Sequence, residues 1–264
     1  MLRRNGALCK DPVEICKAFK DHFIQKVDSN RTVSSLEDIF PLLQSAFPSA
    51  PAWDLSPCSE DDVALAIDNL KCSMACGPDE IPNRLLKELK HLILAPLTQI
   101  INLSIELGRF PSIWKLSKIV PVHKRNCKLD VGNYRPIALT STLGKVLEGV
   151  VYSQFHHQLE TLLPDNIYGF RSSRGTQDAL TDLLDYVKTQ KAAGKYVAIL
   201  SIDATAAFDL LSHDLVLGSL KLLGFGPLMI AWSCSFFEDC RQFVQINKTW
   251  YLTTDMYSIN IYIK

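Results

Sequence analysis

The stretch from Tyr196 to Val216 reads YVAILSIDATAAFDLLSHDLV, an apolar run that ends on Asp203 and is followed by Phe208. A carboxylate where a buried strand emerges can meet solvent while the scaffold behind it stays rigid. It is also a hard oxygen ligand of the kind Mg2+ prefers, with phosphate oxygens and water completing the shell. The same position suits a carboxylate that caps the next turn, and spacing alone leaves these two readings level. Phe208 by itself reads as a core aromatic. Asp209 reads as a structural acceptor near the next helix, where Ser212 to Asp214 are competing caps.

A second constellation is KIVPVHKRNCKLDVGNYRPIALT, Lys118 to Thr140, in which Lys118, Lys124, Arg125, Lys128 and Arg135 oppose one acid, Asp130. Arginine grips phosphate through paired bonds and lysine acts as a point charge, so the patch is suited to phosphates. A solvated basic loop is the plainer alternative. The chain as a whole carries 28 basic and 28 acidic residues and a formal net charge of zero. No global field therefore announces a polyanion, and any such partner must be met by a local patch.

Other chemistries fail on spacing. Thr205 breaks a phosphatase-type DxDxT pattern, and no GxxxxGK[ST] loop occurs. Gly224 to Gly226 follows a helical run rather than linking strand to helix, so it is no dinucleotide fingerprint. No GxSxG elbow supports a Ser/His/Asp triad. His156 and His157 are adjacent, point to different sides of a helix, and read as surface residues. The eight cysteines form neither a CxxC pair nor a disulfide ladder, which reads as free thiols in a reducing compartment. Cys72 and Cys76 have no second ligand pair at zinc-like spacing.

The elements that must position these groups follow from periodicity. Ile15, Phe19, Phe23 and Val27 give residues 11–28 a helical stripe. Residues 29–57, rich in proline and serine, read as a linker with short helical pieces. Ser59 with Asp62 predicts a capped helix whose apolar face is Val63, Ile67 and Leu70. CGPDEIP is a tight turn, with Pro82 suited to the first turn of a helix that Pro96 kinks or breaks and Gly108 ends. Residues 115–124 alternate like a strand. A polar loop, a helix over 142–163, and a helix capped by Ser173 or Thr176 and running to about Lys191 come next. The strand leading to Asp203, helices over 213–223 and 228–238, and the strand RQFVQIN complete the order. The expected class is α+β, a helical lobe feeding a small sheet. The N-terminus lacks the apolar core of a secretory signal, and no run approaches the ~20 residues that span a bilayer. The expected setting is intracellular, cytoplasmic or nuclear, with no membrane and no evident protein partner.

GPDEIPNRLL, GRFPSIWKLSKIVPVHK, NYRPIALTSTLGKVLE, YGFRSSRGTQDAL and SIDATAAFD occur in this order with fitting gaps. Together they resemble the fingers and first palm elements of the reverse transcriptase of a non-LTR, LINE-type, jockey-like retrotransposon, over Gly77 to Thr249. AFKDHF upstream resembles the region between endonuclease and polymerase in such elements. The resemblance implies a right-hand polymerase fold that takes an RNA template, a DNA primer and deoxynucleoside triphosphates. It divides the chain into a helical segment and linker (1–76), fingers and partial palm (77–250), and a divergent tail (251–264).

Carried over motif by motif, Asp203 and the backbone carbonyl of Ala204 would hold Mg2+, two ions being used in the intact family site. Phe208 would crowd the sugar and reject a 2′-hydroxyl. Arg135 would brace the triphosphate with Lys124 or Arg125 beside it, and Arg171 and Arg174 would approach the template. The family's GxPQG segment and YxDD hairpin do not occur in these residues, whose only Asp-Asp pair is Asp61–Asp62, and no thumb is recognisable. One aspartate cannot hold two mutually repelling dications. The expectation is a truncated domain, inactive as this chain, from an incomplete gene model or a decayed copy. A non-catalytic module that binds RNA or an RNA–DNA hybrid, and a functionless structural remnant, are the alternatives.

Overall fold

In a computed structural model of the chain, residues 1–4, 7–28, 53–203, 211–246 and 249–253 are described. They fall into two compact units, Met1–Ser153 with Ala206–Lys264, and Gln154–Thr205.

The first unit holds the sheet. Strands β1 (Leu2–Arg4) and β2 (Ala7–Cys9) pair antiparallel, with Leu2 opposite Cys9. Helix α1 (Pro12–Asp28) opens where the Asp11 carboxylate accepts from the Val13 N–H at 3.2 Å and Pro12 fills the first helical position. Its buried stripe of Ile15, Cys16, Phe19 and Phe23 lies on Leu2, Ile119 and Val244 in one core. The last two belong to strands β3 (Leu116–His123) and β5 (Arg241–Ile246). With β4 (Tyr134–Leu139) and β6 (Thr249–Thr253) they form a four-stranded sheet of order β4-β3-β5-β6. β3 is antiparallel to β4 and parallel to β5, and β5 is antiparallel to β6. A parallel pair requires a long crossover, and here it runs through the helices between β4 and β5.

Three pairings escape the periodicity reading. β4 contains Pro136, which argues against a strand until its place is known. It lies at the sheet edge, opposite Pro121, and two prolines can face one another only where neither N–H is needed. β6, read partly as tail, had a signal in the β-rich runs RQFVQI and TWYLT separated by Asn247 and Lys248. The β1–β2 pair had one in Asn5-Gly6.

The helices of this unit include α2 (Glu60–Asn69), α3 (Asn83–Glu88) and α4 (Lys90–Glu106). The predicted capping box of α2 forms. The Ser59 hydroxyl accepts from the Asp62 N–H at 3.2 Å, and Asp62 accepts from the Ser59 N–H at 2.8 Å. The Ser59 hydroxyl also donates to the Asp62 carboxylate at 2.7 Å, and this bond, with that of the Ser59 N–H, holds the carboxyl below its ordinary pKa. Of the kink or break expected at Pro96, the break does not occur. Pro96 sits inside α4, the interruption falls at Leu89, and Pro82 precedes α3 rather than entering it. Burial of Leu97, Thr98 and Ile101 just beyond Pro96 keeps α4 continuous against the loss of one ladder bond. Gly108 ends α4 as expected, at φ +57, with Gly108 N–H on Ile105 O and Arg109 N–H on Ser104 O.

α5 (Thr142–Leu162) starts from a polar knot. Asp79 accepts from the Ser141 hydroxyl at 2.7 Å and the Thr142 N–H at 2.8 Å. The Thr142 hydroxyl donates to Ile81 O at 2.6 Å, and the Asn83 amide to Lys71 O at 3.0 Å. GPDEIPN and ALTSTLGK, distant in sequence, are thus two halves of one junction.

Further along α5, Glu148 keeps part of its residue surface exposed, but its carboxyl lies deep. Burial raises its pKa to about 7, with Lys145 opposing. Burial also drives the Cys240 thiol up to about 11, with Lys115 opposing and Glu148 adding to the shift. An unfolded glutamate titrates near 4.5. Between that value and about 7 the folded chain keeps a proton that the unfolded chain loses, so stability falls as pH rises through this window and then levels. Glu148→Gln is expected to change the urea midpoint little at about pH 5 and to add about 2 kcal/mol at about pH 8. Equal midpoints for the two proteins at the higher pH would show that the carboxyl is not buried.

α7 (His213–Leu222) and α8 (Pro227–Phe237) precede β5. α8 brings Trp232 and Phe236, stacked at 5.4 Å, against Phe110. The indole N–H of Trp232 donates to the Ser104 hydroxyl at 3.1 Å. Lys115 caps this helix, donating to Ser235 O at 2.6 Å and Glu238 O at 3.0 Å.

The second unit contains α6 (Thr176–Ala192). Its cap is neither Ser173 nor Thr176 but Gly175, whose N–H is taken by Asp178 at 2.7 Å. The residues leading to Asp203 form no strand and pair with none among the described residues. Leu200 and Ile202 are 84% and 85% exposed. An apolar run reports a need for burial on both faces, and a strand exists only where a neighbour supplies the ladder.

Candidate nucleic-acid interface

The basic segment is a hairpin. β3 and β4 place Val122 opposite Arg135 and His123 opposite Tyr134, and the Lys124 N–H donates to Asn133 O at 2.8 Å. Because side chains alternate, Tyr134 and His123 share the face that meets α1, and Arg135 points to the other face. The Tyr134 ring stands edge-on to Phe19 at 4.9 Å and to His123 at 5.2 Å. Lys124, at the end of β3, is the diagonal neighbour of Arg135.

The loop that joins the strands is held by its own bonds. Asp130 accepts from the Gly132 N–H at 2.9 Å, and the Asn133 amide donates to Cys127 O at 3.0 Å. The Tyr134 hydroxyl reaches Lys128 O at 2.9 Å. Asn126 takes the left-handed conformation at φ +66 that such a turn needs. The acid that sequence alone set against five cations is therefore engaged in shaping the loop.

The cations lie close enough to act on one another. The Lys124 ammonium has its pKa lowered by burial first, then by Lys26, Arg135 and Arg125. His22 is lowered by burial and by Lys26 and Lys124, with Asp130 opposing. Lys26 and His22 lie on α1 and were not among the expected site residues. Their helical spacing beside Phe23 was visible, but the hairpin they approach was not.

In the second unit Arg171 is deeply engaged. Its guanidinium donates to Glu160 at 2.9 Å and to Pro164 O at 2.8 Å, and the ion pair lowers the Glu160 pKa. Arg174 donates to the Asp165 carbonyl and, at 2.8 Å, to its carboxylate. Phe170, just before Arg171, is exposed and left-handed at φ +61, and Ser173, between the two arginines, is also left-handed at φ +59. Asp203 is exposed. Ala204 and Phe208 lie outside the described residues. Among the described residues no group of three His, Cys, Asp or Glu side chains could hold a metal ion, and no helix is long and apolar enough to cross a membrane. The cysteines are free thiols, and Cys72 and Cys127 are exposed.

The model of one family, reverse transcriptase (RNA-dependent DNA polymerase), matches residues 122–255. The chain is 27% identical over 262 residues to the RNA-directed DNA polymerase from mobile element jockey of Drosophila melanogaster, covering 97% of this chain and 27% of that protein. It is 28% identical over 217 residues to the probable RNA-directed DNA polymerase from transposon X-element of the same fly, covering 79% of this chain and 23% of that protein. The chain thus spans about a quarter of the length of these relatives.

Proposed function

Because this chain belongs to the reverse transcriptase (RNA-dependent DNA polymerase) family, we propose that it holds an RNA template and DNA primer, in the manner of the fingers and part of the palm of a right-hand polymerase. Residues 77–250 make up that part, after a helical segment at 1–76 and before a divergent tail at 251–264. The observation that carries the reading is the hairpin edge. Lys124, Arg125 and Arg135 share the end of the β3–β4 hairpin, where the Lys124 pKa is lowered by burial first and then by Lys26, Arg135 and Arg125, while Asp130 braces its own loop. A patch of one charge sign raises the local concentration of ligands of the opposite sign.

In this reading Lys124, Arg125 and Arg135 take the phosphates of an incoming deoxynucleoside triphosphate. Arg171 holds the shape of the loop that presents Arg174 to the template, and Phe208 selects against a ribose. Asp203 and the Ala204 carbonyl are the family's first metal ligands. Reverse transcriptases use Mg2+, but a single exposed carboxylate falls short of the donor set that two such ions need. No catalytic step is routed through them. The 264 residues contain neither GxPQG nor YxDD, so the proposed activity of this chain alone is binding without synthesis.

Fluorescence anisotropy with a labelled RNA–DNA hybrid across a salt series tests this. Arg135→Gln or Lys124→Gln is expected to weaken binding about tenfold each, as loss of a charge-assisted phosphate contact does, and to flatten the salt dependence. Binding that ignores both changes would reject the hairpin as the interface. Primer extension with Mg2+ is expected to yield no product. Extension abolished by Asp203→Asn would reject the non-catalytic reading.

A further inference from the structure

We propose that the outward side of α4 is a self-association surface, along which two copies of this chain pair antiparallel about a two-fold axis at Gln99 and Ile100. Helix α4 is apolar on both sides. Its inner side, with Leu97, Ile101 and Ile105, is buried and packs toward α2 and α8. Its outer side carries Leu92, Ile100 and Leu103, with Leu107 directly after it, and these are 64%, 47%, 54% and 59% exposed. Pro96, between them, is exposed as well. At 3.6 residues per turn the five fall within about 80° of one another and run roughly 22 Å along the helix. No charged residue interrupts the chain from Leu92 to Ile105. A helix that is apolar all round is normally a buried one, and a long apolar stripe left on a surface marks an interaction site.

Three properties of the stripe make a second copy its cover. First, its order is the same in both directions. Leu92 and Leu107 are equally far from the midpoint between Gln99 and Ile100, and so are Pro96 and Leu103. A two-fold contact needs this, because one patch must meet itself. Antiparallel pairing sets Leu92 on Leu107 and Pro96 on Leu103, and it opposes the two helix dipoles. Second, the one acid near the stripe is placed to suit that pairing. Glu106, exposed at its flank, comes beside the first turn of the other copy's α4, where a helix dipole favours a carboxylate. Third, the size fits a weak dimer. The exposed parts of the five side chains, with Ala95 and Gln99 beside them, offer roughly 500 Å2 per copy, so a pair removes about 1,000 Å2 from water, the lower bound for a specific interface. The pairing does not depend on what the hairpin binds.

Sedimentation equilibrium of the full chain over about 1–100 μM is expected to show monomer and dimer exchanging with a micromolar Kd. Leu103→Glu should weaken association at least about tenfold, as loss of a central interface contact does. The urea midpoint of the dilute monomer should stay unchanged, because this side chain is already 54% exposed. Leu200→Asp, which removes an apolar side chain that is 84% exposed outside α4, should leave the dimer as it is. Mixing reads the register. Leu92→Lys and Leu107→Glu each set a charge against leucine at both ends of a homodimer, and each alone should weaken association about tenfold. Their equimolar mixture should recover it, because one end then joins the two charges and the other restores leucine to leucine. A monomer at every concentration, or a dimer that survives Leu103→Glu, overturns the proposal. So does a dimer lost with Leu200→Asp instead. Single variants that weaken association but do not recover on mixing overturn the antiparallel two-fold pairing.

Discussion

Gly77→Ala is expected to destabilise the fold by about 3 kcal/mol, the upper range for forcing an added carbon into a packed site. A Cβ at residue 77 would stand 2.3 Å from the carbonyl oxygen of Thr140 and 2.9 Å from the amide nitrogen of Ser141. These are backbone atoms and cannot swing aside. They also lead directly into α5, whose first turn hangs on Asp79 through the Ser141 hydroxyl and the Thr142 N–H. Any shift that admits the methyl must lengthen those bonds, so steric and polar losses arrive together. Gly149→Ala is the matched control. Its Cβ would meet the Ala66 methyl at 3.5 Å, an ordinary contact, and alanine in a helix interior should add about 0.5–1 kcal/mol. Urea midpoints of the two variants should therefore move in opposite directions. A wild-type midpoint for Gly77→Ala would show that the GPDEIP turn is not seated on the start of α5.

Phe19→Ala is expected to remove about 3–5 kcal/mol, the range for deleting a buried aromatic. Phe19 is buried between Phe23 at 5.8 Å and Tyr134 at 4.9 Å. It joins α1 to the edge of the sheet, in the core that includes Ile119 and Val244. Loss of the ring should loosen α1 and the Tyr134 end of the hairpin together, because one contact serves both. Phe19→Leu, which keeps most of the volume, should lose much less. Denaturant titration followed by tryptophan fluorescence separates these outcomes. If Phe19→Ala unfolds at the wild-type midpoint, α1 does not depend on the sheet.

Local signals read from the sequence were dependable where the physics is local. The α2 cap needs only Ser59 and Asp62, three residues apart, and both bonds form. The end of α4 needs only a residue that tolerates positive φ, and Gly108 supplies it. The stripe on α1 and the strand at β3 appear where their periods place them. The ordered motifs between Gly77 and Asp203 were enough to indicate the family, since they record a constellation and not a packing arrangement. The basic character of the hairpin was likewise legible, as was the lack of a second carboxylate motif.

Tertiary structure decided the rest, for reasons that no window of sequence contains. Pro136 is tolerated in β4 because that strand lies at the edge and faces Pro121. Pro96 does not break α4 because the residues after it are buried. Asp130, read as a counter-charge, also braces its loop, and Arg171, expected to approach the template, is bonded to Glu160. Lys26 and His22 joined the cationic edge only because Phe19 sets α1 against Tyr134. The run before Asp203 shows the converse. Its side chains specify a buried strand, yet the ladder and the covering layer must come from other residues, and among the described ones none provides them. Propensity, capping and motif are properties of a segment and can be read from it. Burial, pairing and the neighbours of a charge are properties of two segments at once, and only their meeting in space determines them.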